Sequence, residues 1–178
     1  GVKGIPASAE DCGTAREIAL AAALNVPVHI CHVSTKTSVE LIRDAKNRGV
    51  KVTAETAPHY FSLTDRELLR ADADFRMNPP LRTISDMDEI INGLIDGTLD
   101  AVATDHAPHT VEDKADFVSA PNGSIGMETS LAVGITCLVK RGLMSFEKLV
   151  EKMSVNPAKI LGINAGTLAI GAPADITL

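Results

Sequence analysis

The sequence has no tryptophan, one tyrosine and four phenylalanines, so aromatic residues make up only 3% of its 178 positions. So little π-surface argues against the base-stacking platforms that grip single-stranded nucleic acid. Cationic residues are outnumbered as well: 17 Lys and Arg face 23 Asp and Glu, a formal net charge of −6. That balance excludes a phosphate-tracking surface but is compatible with a local cationic pocket. The three cysteines, Cys12, Cys31 and Cys137, are odd in number, widely spaced and form no CxxC pair. Neither a disulfide framework nor a cysteine-rich zinc site is expected, and a reducing, cytoplasmic setting fits best. No apolar run approaches the roughly 20 residues of a membrane helix, so no membrane partner is expected either. What remains is an ordinary globular composition, 45% hydrophobic and 22% charged, in a chain long enough to bury a core.

Strand-like and helix-like segments alternate. "ASAEDCGTAREIALAAALN" is Ala-rich and helix-forming, with Ala7 or Ser8 near its start. "VPVHICHVS" reads as a strand, and "STKTSVELIRDAKNRG" as a helix stopped at Gly49. "VKVTAETAPH" is a second strand, followed by a short helix with a Thr64/Glu67 capping box. "FRMNPP" suggests a brief strand, "SDMDEIINGLIDG" a helix with Ser85 as N-cap and Gly97 as stop, and "LDAVATDH" a last strong strand. Helices near 126–141 and 145–152 complete the pattern. The spacing predicts strands at about 27–33, 50–56, 74–78 and 99–104, joined as βαβ units in a parallel sheet. Such a set makes either a small open sheet or half of a (β/α)8 barrel. In both, the active site belongs at the carboxyl ends of the strands.

The chemistry gathers there. "AVATDHAPHT" ends an apolar run in Asp105 and sets His106 and His109 around Ala-Pro. By the two-residue alternation of strands, Val28, Ile30 and His32 share one face, and Leu99, Ala101, Ala103 and Asp105 share another. His32 and Asp105 thus each continue an apolar face past a strand end, and His59 lies just beyond the second strand. A single histidine at a strand end is ordinarily a hydrogen-bonded structural residue, and a single aspartate a cap. Three potential ligands at one end of one sheet instead suit zinc or a similar divalent ion. His29 and Cys31 are expected to face the helix layer, Cys31 as a packed thiol. His106 stands between a structural and a supporting role. Asn78, held by two following prolines, offers a donor and an acceptor to a substrate ring, or simply forms a turn. The long polar segment after Asp105, with "PNG" near its end, has the length and glycines of a lid.

"HICHVSTKTSVELIRDAK", "TAETAPHYFSLTD", "MNPPLR" and above all "ATDHAPH" resemble the dihydroorotases of the bacterial class I type, within the amidohydrolase superfamily. The likeness runs from about Gly4 through "MSVNPAKILGI" to "GTLAIGAPADITL". It implies an α/β fold: the second half of a (β/α)8 metal-dependent hydrolase barrel over residues 1–163, and the start of a small β domain over 164–178. Carried over residue by residue, it makes His32 and His59 metal ligands, and Asp105 both a ligand and the catalytic acid/base. Asn78 and His109 match substrate-binding positions, and Asn122 and Gly123 fall where the family's loop meets substrate through its backbone. Asn122 departs from the family's frequent Phe there, and Tyr60 replaces a frequent second histidine.

The implied reaction is the reversible, zinc-dependent closure of N-carbamoyl-L-aspartate to dihydroorotate in pyrimidine biosynthesis, with one or two Zn2+ per full-length subunit. The family's strand-1 His-x-His pair and bridging ligand have no counterpart here and would precede Gly1. The expectation is therefore a portion of a longer protein, inactive alone and apt to self-associate. The full-length parent is expected to be a homo-oligomer, with aspartate carbamoyltransferase as a candidate partner. Two alternatives stay open: a non-catalytic dihydroorotase-like partner of that transferase, and another cyclic amidohydrolase such as allantoinase or dihydropyrimidinase.

Overall fold

A computed structural model describes residues 4–176. Helix α1 (Ala7–Leu24) springs from extended Pro6 without a side-chain cap and closes at Asn25, whose left-handed backbone (φ 54°) returns its N–H to Ala21 O. Strand β1 (Val28–Ile30) follows. Helix α2 (Lys36–Asn47) starts where the Thr35 hydroxyl accepts the Ser38 N–H at 3.2 Å, satisfying one of the first-turn donors. Strand β2 (Val52–Thr56) leads through short 3-10 turns to helix α3 (Ile84–Asp96). The α3 cap is Thr83 rather than Ser85. Thr83 is extended, and its hydroxyl and backbone N–H form a reciprocal capping box with Asp86, so Ser85 falls inside the first turn. Gly97, at φ 88°, ends α3 as its sequence position predicts.

The sheet order is β1-β2-β3, all parallel, with β3 at Ala101–Val102. Val28 pairs with Val52, Ile30 with Ala54, Glu55 with Ala101 and Thr56 with Val102. Flanking bonds extend the ladder: Val33 N–H to Glu55 O at 2.8 Å, Asp100 N–H to Ala54 O at 2.8 Å, and Ala103 N–H to Thr56 O at 2.9 Å. The strands expected at 27–33, 50–56 and 99–104 are thus present.

The strand expected at 74–78 is not. Ala73–Phe75 is a 3-10 turn, because the Asp72 carboxylate accepts the Asp74 N–H at 2.9 Å and winds the chain locally. Pro79 and Pro80 then remove two N–H donors a ladder would need. The Thr64/Glu67 capping box also fails to form: 65–70 is a 3-10 turn and the Thr64 side chain makes no cap bond. Beyond β3 the chain runs through a long strap to α4 (Ser130–Gly134) with a π turn at Ile135–Val139. Next come α5 (Phe146–Val150), a second π turn (Glu151–Val155) and α6 (Asn156–Leu161). Residues 164–176 form turns and unpaired backbone.

One apolar layer holds these parts in place. Val39, Ile42 and Ala45 of α2, Ile90 and Leu94 of α3, and Ala54 of β2 are fully buried with Leu99, Leu138 and Leu149. Burying each large aliphatic side chain contributes about 1.5–3 kcal/mol. Gly93 lets α3 close on this layer, since a Cβ there would meet Val39 Cγ1 at 2.9 Å and Leu99 Cγ at 3.2 Å. Lys152 is buried against the strand: its ammonium donates to Leu99 O, while Asn156 Nδ2 donates to Asp100 O at 2.9 Å.

Candidate active site at the strand ends

His59 sits in the 3-10 turn Pro58–Tyr60, one residue past β2, and is 8% exposed. Its Nε2 has no hydrogen-bond partner among the described residues and lies 3.6 Å from Asp105 Oδ2. Burial pushes the imidazole down to about 4, the Asp105 charge opposes the fall and the nearby His32 adds to it. At neutral pH this is a neutral imidazole with an unused lone pair or N–H, buried beside a carboxylate. A buried polar atom left unpaired costs about 1–3 kcal/mol, which a divalent cation at that point would relieve. The 3.6 Å gap is close to the roughly 3.3 Å between two ligands of a tetrahedral ion with bonds near 2.0–2.1 Å. His59 and Asp105 therefore fit a metal.

His32 is exposed at the end of β1, close enough to bear electrostatically on His59. The route by which His32 and Asp105 reach one site differs from simple alternation. The register puts Ile30 beside Ala54 and Ala101 beside Glu55, which are opposite faces of β2. Continued regularly, His32 and Asp105 would diverge. Instead both take a left-handed backbone, φ 40° and 47°, which breaks the alternation where each strand ends. Non-glycine residues rarely adopt that region, and such strain gathers at functional sites.

The same register corrects the placing of His29 and Cys31. Val52, Ala54 and Thr56 are the buried, helix-covered row of β2, whereas Thr53 and Glu55 are only half-buried. His29 shares the second row: its Nδ1 is 2.8 Å from Thr53 Oγ1 and its Nε2 is 3.3 Å from Glu55 Oε2. Cys31 is exposed rather than packed. His29 and Cys31 thus point away from the helices. Val28 and Ile30, the apolar pair of β1, pack on the helix layer, so the residues between and after them face the other way.

Behind His32 lies a network with no local sign in the sequence. The Glu10 carboxylate accepts the backbone N–H of Ser34 at 2.8 Å and of Thr35 at 3.1 Å, together with the Ser34 hydroxyl. Asp11 accepts the Thr35 hydroxyl at 2.6 Å. Arg82 donates to Ser34 Oγ at 3.1 Å and to Ile5 O at 2.7 Å, and pairs with Glu10 at 3.5 Å. These groups fix the turn that carries His32 into α2. Tyr60 is also tied down, its hydroxyl donating to Pro79 O at 2.6 Å, and burial pushes its phenol well above the usual range.

The strap after β3 returns to the same strand end. His106 Nδ1 accepts the Gly126 N–H at 3.1 Å, and Ala107 N–H donates to Ser124 O at 2.9 Å, so His106 is a positioning residue. His109 Nε2 lies 2.9 Å from Asn122 O, and Gly123 packs on Ala107, bringing together His109, Asn122 and Gly123. Gly123 N–H itself donates to Arg76 O at 3.0 Å. Arg76 and Lys114 were missed by sequence reasoning. Arg76 donates to Asn122 Oδ1 at 3.2 Å and to Phe117 O at 2.7 Å. Lys114 donates to Ala73 O, Arg76 O and Pro121 O at 3.0–3.2 Å. The segment with the length and glycines of a lid is held at these points. Asn78 stands exposed at the start of the Pro-Pro turn, without a side-chain bond to the other candidates.

Residues 2–178 match the model of the amidohydrolase family. Proteins named dihydroorotase from Acetivibrio thermocellus and Geotalea daltonii are each 55% identical to this chain over its whole length, which is 42% of theirs. The chain spans about two-fifths of the length of these curated relatives. Among solved structures, dihydropyrimidinase from Brevibacillus agri superposes with a TM-score of 0.90 at 32% identity, covering 95% of this chain and 39% of that one. L-hydantoinase from Arthrobacter aurescens gives 0.88 at 34% identity over 95% and 39%. The parallel α/β arc is that of the barrel hydrolases these structures represent. With a family match across nearly its full length and its titratable groups at the strand ends, the chain belongs to the amidohydrolase family.

Proposed function

We propose that this chain supplies the carboxyl-end half of the active site of a dihydroorotase, which interconverts N-carbamoyl-L-aspartate and dihydroorotate in the cytoplasmic synthesis of pyrimidines. One observation supports it most: buried, neutral His59 holds an unpartnered Nε2 3.6 Å from Asp105 where two strands end. The 55% identity to proteins named dihydroorotase favours that substrate over those of the more distant hydantoinases.

In this reading His32, His59 and Asp105 hold Zn2+, one or two ions per full-length subunit. The ion, when bound, supplies an acidified water and polarises the ring amide carbonyl. Asp105 takes the proton from the attacking water and delivers it to the departing ring nitrogen, for which its position facing His59 suits it. His59 needs no deprotonation to ligate at neutral pH. His109 and Asn78 hold the substrate's carboxylate and ring polar groups, and Asn122 and Gly123 meet it through their backbone, exchanging the His109–Asn122 O and Gly123 N–H–Arg76 O contacts for substrate. Residues 1–163 belong to the barrel and 164–178 lead into a small β domain. Self-association into a homo-oligomer, and pairing with aspartate carbamoyltransferase, are the partnerships this reading carries.

The test supplies dihydroorotate, allantoin, dihydrouracil and hydantoin separately to the full-length protein. Ring opening of dihydroorotate alone is expected. Preference for hydantoin or dihydrouracil would move the assignment to the second class of cyclic amides, and no turnover of any would favour the non-catalytic reading.

A further inference from the structure

Beside the strand-end set lies a second group of ligand atoms that the proposed reaction does not use. His29, Cys31 and Glu55 each offer one atom, and these lie within 4.8 Å of one another. No other trio of His, Cys, Asp or Glu among the described residues comes so close, His32, His59 and Asp105 included. We propose that His29 Nε2, Cys31 Sγ and Glu55 form a separate site for a borderline-to-soft divalent transition-metal ion, of the Zn2+, Co2+ or Cd2+ class.

Three features of the geometry carry it. His29 Nε2 and Glu55 Oε2 stand 3.3 Å apart, the separation of about 3.3 Å that two ligands of a tetrahedral ion with bonds near 2.0–2.1 Å adopt. The other ring nitrogen, Nδ1, is 2.8 Å from Thr53 Oγ1. That contact fixes the ring and leaves Nε2 as the ligating atom, the outer support found behind histidine ligands. Cys31 Sγ, on the same row, lies within 4.8 Å of both. An N, S, O donor set selects Zn2+-like ions over Mg2+ or Ca2+, and three protein ligands leave a fourth position open. On binding, the Cys31 S–H proton passes to solvent and the thiolate sulfur bonds the ion, with no change of oxidation state.

The register explains why these side chains meet. His29 lies opposite Thr53 in the parallel ladder, and Cys31 and Glu55 follow two residues later on the same face. Two of the ligands therefore stand on adjacent hydrogen-bonded strands, and Cys31 follows one residue after β1 ends. It shares no ligand with His32, His59 and Asp105, so the two sets are separable by mutation.

The test titrates Co2+ into the metal-free chain and reads the near-ultraviolet thiolate-to-cobalt charge-transfer absorption, with circular dichroism confirming the fold of every variant. A band is expected in the wild type and in a Cys12→Ser/Cys137→Ser variant. It should persist in the His32→Ala/His59→Ala variant, whose loss of ligands bears on the proposed reaction alone. Cys31→Ser should abolish it, and His29→Ala or Glu55→Gln should weaken Co2+ affinity at least tenfold. Absence of the band from folded wild type overturns the proposal, as does its survival in Cys31→Ser. Loss of the band in folded His32→Ala/His59→Ala would also overturn it, by placing the thiol in the strand-end set.

Discussion

Replacing Gly126 by alanine tests how tightly the strap is seated on the candidate site. A Cβ at Gly126 would stand 2.3 Å from Thr104 O and 3.2 Å from Thr104 C, both backbone atoms of the strand end that carries Asp105. Carbon and oxygen need roughly 3.2 Å or more, so strap or strand must move by about 1 Å. Two bonds hang on the position: Gly126 N–H to His106 Nδ1 at 3.1 Å, and Ser130 N–H to Gly126 O at 3.0 Å. Overpacking costs about 1–3 kcal/mol and each lost bond about 1 kcal/mol, so the variant should be less stable by about 3–5 kcal/mol if both bonds are lost. Gly13→Ala is the internal control. Gly13 lies inside α1 with nothing within 4 Å of its added Cβ, and alanine there should stabilise by about 0.5–1 kcal/mol. Guanidinium unfolding of the three proteins reads both signs at once. A Gly126→Ala variant within about 0.5 kcal/mol of wild type, in the range of a neutral surface change, would refute the seating.

His59 should make the metal-free chain sensitive to acid. Its folded value is about 4 against an ordinary value near 6.5, so between those pH values the unfolded state binds the extra proton and stability falls as pH falls. The loss from pH 7 to pH 4 should be about 3 kcal/mol at 1.36 kcal/mol per pH unit, and His59→Asn should remove most of it; an unchanged pH profile in unfolding titrations would count against the buried neutral imidazole. Glu10→Gln leaves Arg82 without its counter-charge and weakens two backbone bonds to the His32 turn, so a loss of about 2 kcal/mol is expected from bonds to a charged group, measured by thermal unfolding. Lys114→Met removes donors to three carbonyls, and hydrogen exchange of residues 115–125 should speed at least tenfold while α2 stays protected.

The sequence carried the alternating α/β order well, because β1, α2, β2 and α3 combine local capping with strong periodicity. It failed where a local bond or a distant contact decides. Phe75 and Met77 read as strand-like, yet the Asp72 carboxylate winds that segment and the prolines deny it a ladder. The Glu10–Ser34 and Arg82–Ser34 bonds join residues 24 and 48 positions apart, a juxtaposition no local pattern reports. His32, His59 and Asp105 were legible by their place after strands. The left-handed turns that steer two of them were not, since only a few per cent of non-glycine residues take a positive φ, even though histidine and aspartate do so more often than most. The His29–Cys31–Glu55 group spans two strands 24 residues apart in their pairing, which alternation within β1 alone does not report. The parallel register brings it into view.

In the proposed reaction Asp105 carries the proton in a metal-dependent opening of a cyclic amide. The most direct test is turnover of dihydroorotate by the full-length zinc-loaded protein and its Asp105→Asn variant, compared at matched metal content. A loss of roughly 10²–10⁴-fold or more is expected, the range of general acid–base help, with the fold unchanged by circular dichroism. Equal turnover by the Asp105→Asn protein would contradict it.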